Sequence, residues 1–436
     1  MNVDQSLSHD QQQLQVHNVY QSIKNINSVL KVSEVNHLTY HDQDHVNNVN
    51  GFGDGGADMD RRNSFVDDLQ SHLIDGIEYG RSYQKLQQIG VIQAHQNGYS
   101  GKGVNILVID SGFLKDHESI KSCNIIAEKD FINNTGNTQG QLGDVQNRHG
   151  TNVLSNIGGW MPGSIIGVAH KANYILAKTE IIDKEVPVEE DYLISALEWG
   201  HSQGARVASI SLGYSAWFKY WEVDGTSSIS KAVDIAHQKG MLVVVSSGNN
   251  GVSGITPPSD CRECISVGAV DNFDVIATFS SIGPTADGRR KPEVVGPGML
   301  IYSAAASSPS SYEFVSGTSI STPLIAGSAA LVMEAHPDWT PSMVREALIS
   351  TASSISSPDN YKGYGAINIK IHVVSMSCVD QFAKRTVENV IQTIVTGARI
   401  LLIYHTKRDK DQSVEIQCSR TQEPILEYDH QVPIHF

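Results

Sequence analysis

Apolar residues in this chain come in short runs rich in β-branched side chains, set between stretches of helical length. Five runs read as strands: Val104–Ile109, Tyr174–Lys178, Val207–Ser211, Leu242–Ser246 and Cys264–Val270. Between and after them, Glu190–Gln203, Ser228–Gln238 and Thr322–Ala335 read as helices. Strands alternating with helices predict an α/β fold in three layers, αβα, with a mainly parallel central sheet covered on both faces. Active sites of such sheets collect at the carboxyl ends of the strands. Asp110 and Asn249 each stand at or just after the end of an apolar strand.

The two ends have a different texture. Residues 1–76 are rich in Asn, Gln, His and Asp and include Gly51-Phe52-Gly53-Asp54-Gly55-Gly56. Such a composition buries little apolar surface, so a polar low-complexity extension is expected. The alternative is a folded pro-segment, for which Val16–Val32 offers some helical periodicity. Residues 77–368 carry the strand and helix pattern. Residues 369–436 form a C-terminal extension in which Ile400–Tyr404 precedes a charged run, and no role is assigned to it.

At 436 residues there is room for one large α/β domain with extensions. A formal net charge of −15 argues against a nucleic-acid or anionic-membrane partner. Met1–Gln15 is polar, with no secretory signal visible. Leu242–Val245 and Thr322–Met333 fall short of a membrane span or are interrupted by small and polar residues, so no transmembrane segment is expected. Compartment and oligomeric state stay open. The odd cysteine count (Cys123, Cys261, Cys264, Cys378, Cys418) leaves at least one thiol unpaired within a monomer. Cys261-Arg262-Glu263-Cys264 has no second Cys/His pair at zinc spacing, which leaves ordinary thiols or a local disulfide.

Three separated strings carry the chemistry: Val108-Ile109-Asp110-Ser111-Gly112, His149-Gly150-Thr151 and Gly317-Thr318-Ser319-Ile320-Ser321-Thr322-Pro323. A serine hydroxyl is a weak nucleophile at neutral pH and needs an imidazole to take its proton. A carboxylate then fixes the imidazole's tautomer and stabilises its cation. Asp110 ends a buried strand, His149 opens the first turn of a helix, and Ser319 stands just before one, where backbone amides favour developing negative charge. Each string alone is weak. Together, in the order Asp, His, Ser, they separate one class of serine hydrolase from others with the same chemistry.

On these residues the chain resembles the subtilisin-like serine protease family, closest to a bacterial-type branch, over roughly Ile77–Thr351. The Gly317–Pro323 string is similar to the family's nucleophile signature, with Ile320 where Met is commonest, and Val104–Gly112 to its aspartate strand. The resemblance implies a subtilisin-like fold and a serine endopeptidase with Asp110, His149 and Ser319 as catalytic triad. Val245-Ser246-Ser247-Gly248-Asn249 resembles the segment whose Asn donates into the oxyanion hole, which nominates Asn249. Ser211, Leu212 and Gly213 resemble the edge along which an extended polypeptide substrate adds as a strand. Phe279–Pro284 and Lys291–Gly298 resemble connecting segments, with Ile282 in place of Arg and Gly296 in place of Ala.

The departures are Asn152, where the family usually has a second His, and Asp116-His117-Glu118, which lacks the proline common there. No cofactor is expected. Some members hold structural calcium, but no loop here has a carboxylate spacing that nominates a site. Glu185, Glu189, Glu190 and Asp191 read as a solvated acidic loop and helix start. The competing function is a catalytically inactive binding module on the same fold. A serine esterase would carry Gly-x-Ser-x-Gly with its base after the serine, and neither holds at Ser319.

Overall fold

The structure, a computed structural model, describes residues 72–369 and, further on, the backbone of two paired strands, Ile403–Arg408 and Val414–Ser419. The expected N-terminal extension and most of the C-terminal one lie outside the described residues.

Seven strands form one sheet: β1 (Asn105–Asp110), β2 (Asn124–Asp130), β3 (Asn173–Lys178), β4 (Val207–Ile210), β5 (Leu242–Ser246), β6 (Ile265–Val270) and β7 (Val294–Pro297). Their order is β7-β6-β5-β4-β1-β3-β2, and every neighbouring pair is parallel. The chain fills one side of β1 with β2 and β3, then crosses to the other side with β4 and continues outward. That reversal beside β1 is where a parallel sheet opens a crevice at its carboxyl edge.

The described helices are α1 (Tyr83–Gln88), α2 (Val91–Gln96), α3 (Arg148–Gly158), α4 (Val188–Ser202), α5 (Ser228–Gln238), α6 (Thr318–Ala335) and α7 (Pro341–Ser350). Side chains of a strand alternate between faces, and the sheet uses both. Ile106 and Val108 of β1 join one core with Val153 and Leu154 of α3, Leu324 and Ile325 of α6 and Val344 of α7. Leu107 and Ile109 join a second core with Leu193 and Leu197 of α4 and Val233 of α5. β5 repeats the division, Leu242 and Val244 on the first side, Val243 and Val245 on the second. A one-residue slip would exchange the two sets, so register is fixed by burial. The three-layer αβα architecture follows directly.

Two strands differ from the sequence expectation, and both are edges. β2 is polar and mostly half-exposed, so it lacks the continuous apolar run of an inner strand. β7 lies in the expected connecting segment Lys291–Gly298; a proline is tolerated there because an edge strand has one side outside the sheet. α6 also starts four residues earlier than its apolar pattern, at Thr318. From Ile320 to Met333 it is buried on all sides, which makes it a core helix.

Cys261 and Cys264 form a local disulfide. Cys123 is a free thiol, and burial pushes it up to about 12. No described helix is long and apolar enough to cross a membrane.

α3 approaches β1 at a point where no side chain fits. A β-carbon on Gly150 would lie 2.2 Å from the backbone oxygen of Gly112. Gly112 itself has φ 151°, a conformation L side chains rarely adopt. The substitution Gly150→Ala should therefore push the first turn of α3 outward while the rest of the helix stays packed. We expect a folded protein by circular dichroism; if the chain hydrolyses peptides as its resemblance implies, turnover should fall on the order of 10²-fold, the cost of a roughly 1 Å misplacement. Unchanged turnover would show that the contact does not set the position of His149.

Candidate active site

Asp110 closes β1 with no solvent exposure. Its Oδ1 accepts three hydrogen bonds, from Ser111 N at 2.7 Å, Ser111 Oγ at 3.2 Å and His149 Nδ1 at 2.8 Å. Oδ2 is buried with no partner among the described residues. His149 stands in the first turn of α3, 18% exposed. Burial alone would push its pKa down. The charge and hydrogen bond of Asp110 outweigh that, against a smaller opposing effect of Arg148, and hold the imidazole above its ordinary value.

Ser319 is the second residue of α6 and half-buried. Its N–H lies in the first turn, where a helix has no acceptor to offer. Pro323, one turn on, has no N–H to give the Ser319 carbonyl. That carbonyl is instead satisfied by Ser211 Oγ, which donates to it at 2.7 Å. The residue after the end of β4 is thereby tied to the residue that opens α6. α3, carrying His149, packs along α6, carrying Ser319.

Asn249 follows β5 and is exposed. Its Oδ1 accepts from Thr318 N at 2.9 Å and from Thr318 Oγ1 at 3.0 Å. A backbone N–H can only donate, so the amide is oriented, and its Nδ2 donor points the other way. A β-carbon on Gly317 would stand 2.9 Å from Ser319 Oγ and 3.5 Å from Asn249 Nδ2. Hydroxyl and amide donor therefore open onto the same small space. Gly213 is exposed, and Leu212 O accepts from Ser246 Oγ at 3.3 Å.

The structure thus brings Asp110 and His149 into direct contact, and Ser319, Asn249 and Ser211 into one bonded group. Gln146, not singled out from sequence, supports the first pair: its Nε2 donates to Ser111 O and to Glu180 O, both at 2.5 Å. It stands in the short 3₁₀ turn Val145–Asn147, and nothing in that sequence marks it. Asn152 donates to Ala304 O at 2.7 Å and Glu313 Oε1 at 3.1 Å, pinning α3 to the strand pair Ile301–Ala304 and Tyr312–Val315.

The acidic loop differs from its solvated expectation. Glu189 is buried and accepts from Ile181 N at 2.7 Å and Val186 N at 2.9 Å, closing the loop before α4. Glu180 accepts from Tyr214 OH at 2.8 Å and Thr179 Oγ1 at 3.1 Å. Burial first, then the charge of Glu189, holds its carboxyl well above the usual range, despite the Tyr214 bond. Glu180, Glu185 and Glu189 bring carboxylate oxygens within 4.8 Å of one another; Glu189 uses both of its oxygens on backbone donors and Glu180 uses Oε1 on two hydroxyls.

The subtilase family model matches residues 101–365, spanning every residue named in this site. The chain belongs to the subtilase family. Subtilisin NAT of Bacillus subtilis subsp. natto is 31% identical over 309 residues, covering 70% of this chain and 73% of that protein. Subtilisin Savinase of Lederbergia lenta is 31% identical over 276 residues, 63% of this chain and 92% of that one. Among solved structures, a cold adapted subtilisin-like serine proteinase aligns with TM-score 0.51 at 28% identity, over 62% of this chain and 90% of the other. The MycP3 protease from the type VII (ESX-3) secretion system shares the fold with TM-score 0.57 at 23% identity, over 70% and 92%. As a subtilase, the chain is a member of a serine protease family, and its central sheet and helices are those of the subtilisin fold.

Two tests follow from the ionisable groups. If His149 works as a base, it must be neutral, so the acid limb of kcat/KM should lie above pH 6.5. Asp110→Asn should shift that limb downward, because burial and the Arg148 charge then act without the opposing carboxylate, and should slow turnover about 10⁴-fold. An unmoved limb would detach the titration from this pair. For Glu180, a raised folded pKa means the fold prefers the protonated acid. That stability is complete below about pH 4.3 and is lost as pH rises toward the folded pKa. Glu180→Gln should therefore melt higher than the parent at pH 8, with the gap closing near pH 4; equal melting temperatures at both would contradict this.

Proposed function

We propose that this subtilase is an active serine endopeptidase that hydrolyses polypeptides through an acyl-enzyme on Ser319. The observation that carries the reading is the 2.8 Å Asp110–His149 hydrogen bond, buried on its carboxylate side, on a helix packed along the one that bears Ser319. Ser319 Oγ attacks the scissile carbonyl while His149 Nε2 takes its proton. Asp110 holds Nδ1–H and stabilises the imidazolium. Asn249 Nδ2 and the Ser319 N–H face the developing oxyanion. His149 then returns the proton to the leaving amine, and a water activated by the same imidazole hydrolyses the ester. Substrate backbone adds alongside Ser211, Leu212 and Gly213. The chain's own groups handle every proton and charge in these steps.

The test uses an unfolded polypeptide such as denatured casein, with the purified full chain. Hydrolysis should be lost in Ser319→Ala with the fold retained. Asn249→Leu should keep KM and lose roughly 10²–10³ in kcat, a magnitude carried over from a subtilisin. Casein bound by the parent without turnover would instead identify an inactive binding module, and full activity in Ser319→Ala would refute the nucleophile.

A further inference from the structure

Four described residues other than glycine have a left-handed backbone: Asp75, Asn134, Asp274 and Leu300. Asn and Asp tolerate that conformation because their short side chains bond locally, whereas a leucine there is strained. Leu300 has φ 51° and gains little packing in return, since it is 52% exposed. Such strain persists only where the surroundings impose it, and it clusters near functional sites.

Two contacts impose it. The Leu300 N–H donates to Ser316 Oγ at 2.9 Å, and the Leu300 carbonyl accepts from Lys85 Nζ. Lys85 belongs to α1, is 7% exposed, and lines a narrow crevice together with Leu86, Ile301, Tyr302 and Leu324. An ammonium donor makes the stronger kind of hydrogen bond. A second cation just before α1 grips the same strand pair: the Arg81 guanidinium lies 5.3 Å from the ring centre of Tyr302 and 5.5 Å from that of Phe314.

Across from Leu300 is the chain that enters α6. Ile301 pairs with Val315, so Leu300 and Ser316 stand side by side just beyond the end of the strand pair. One residue further, Gly317 N donates to Gly298 O at 2.9 Å, and Gly298 N donates to Val270 O, at the end of β6, at 2.9 Å. The turn Gly298-Met299-Leu300 therefore holds both residues that lead into Thr318 and Ser319. It has no slack, because a β-carbon on Gly298 would meet Ala269 Cβ at 2.5 Å and Gly317 O at 2.9 Å.

We infer that Lys85 is a positioning residue for Ser319. Its ammonium holds Leu300 left-handed, and Leu300 holds Ser316. Together with the bond from Gly317 to Gly298, this sets where the first turn of α6 presents the Ser319 hydroxyl. The inference rests on the endopeptidase reading above. Without the ammonium, Leu300 relaxes toward negative φ, its N–H turns away from Ser316 Oγ, and the backbone of 317–319 shifts. The backbone of 211–213, which would bind substrate, follows β4, so the loss falls on kcat. A glycine at position 300 adopts the left-handed conformation freely and makes the clamp unnecessary.

The experiment measures kcat and KM on denatured casein, with melting temperatures, for the full chain, Lys85→Met, Leu300→Gly, Leu300→Val and the double variant Lys85→Met/Leu300→Gly. Lys85→Met keeps an unbranched stem in the crevice. It should lose about 10-fold in kcat, part of the roughly 10²-fold that a 1 Å misplacement costs, with KM unchanged. Leu300→Gly alone should keep the parent kcat, and the double variant should recover most of the loss. Leu300→Val leaves Lys85 and the core intact but puts a β-branched side chain at the strained position, so it should fold and lose kcat even where Lys85→Met does not fold. Parent-like kcat in folded Lys85→Met or in Leu300→Val would overturn the positioning role while leaving the protease reading intact. So would a loss confined to KM, or a loss in Lys85→Met that Leu300→Gly does not recover. A parent that hydrolyses no casein would overturn both.

Discussion

A carboxylate with no solvent exposure is the constraint from which the rest of the site follows. Stripping an ionised carboxylate of water costs several kcal/mol unless donors replace the lost hydration. Asp110 obtains them on one oxygen, from the next residue's amide and hydroxyl and from His149. Its place at the end of the central β1 supplies the rigidity, since β3 and β4 flank that strand on both sides. The imidazole must then come to the carboxylate. α3 approaches so closely that position 150 has no room for a β-carbon against Gly112, and Gln146 clamps the turn between them. The paired charge also decides the protonation of His149, because it outweighs the burial that would otherwise favour the neutral ring.

Ser319, the proposed nucleophile, is positioned by a different device. A proline one turn into α6 leaves the Ser319 carbonyl without its helical donor, and Ser211 supplies one from the neighbouring strand end. The same strand end is the expected rail for substrate, so the hydroxyl and the rail share one anchor. Asn249 is fixed through Thr318, the residue before Ser319. Two strand ends and one helix start are thereby locked together by side-chain bonds to backbone, the kind of support that holds reacting groups to within a fraction of an ångström.

Much of this was legible in the sequence where burial is complete on both faces. The inner strands appear as apolar runs because both their faces are covered. The edge strands do not: β2 is polar and β7 carries Gly296 and Pro297. Asp110 and Asn249 could be placed by their position after apolar runs. The Ser211 hydroxyl could not, since its partner exists only because Pro323 leaves a carbonyl unpaired. Glu189 stands at a helix start, where acidic residues normally face water, and its burial depends on two loop amides far from any periodic pattern. Gln146 lies in a single 3₁₀ turn, Val145–Asn147, too short to carry a period to read.

The central claim is that Asp110, His149 and Ser319 act as one assembly, with the imidazole raising the reactivity of a single serine. Treating the purified full chain with a fluorophosphonate probe and mapping the labelled peptide by mass spectrometry tests it most directly. The account predicts label on Ser319 alone, and its loss in His149→Ala. Label on another serine, none on the folded parent, or undiminished labelling of Ser319 in His149→Ala would contradict it.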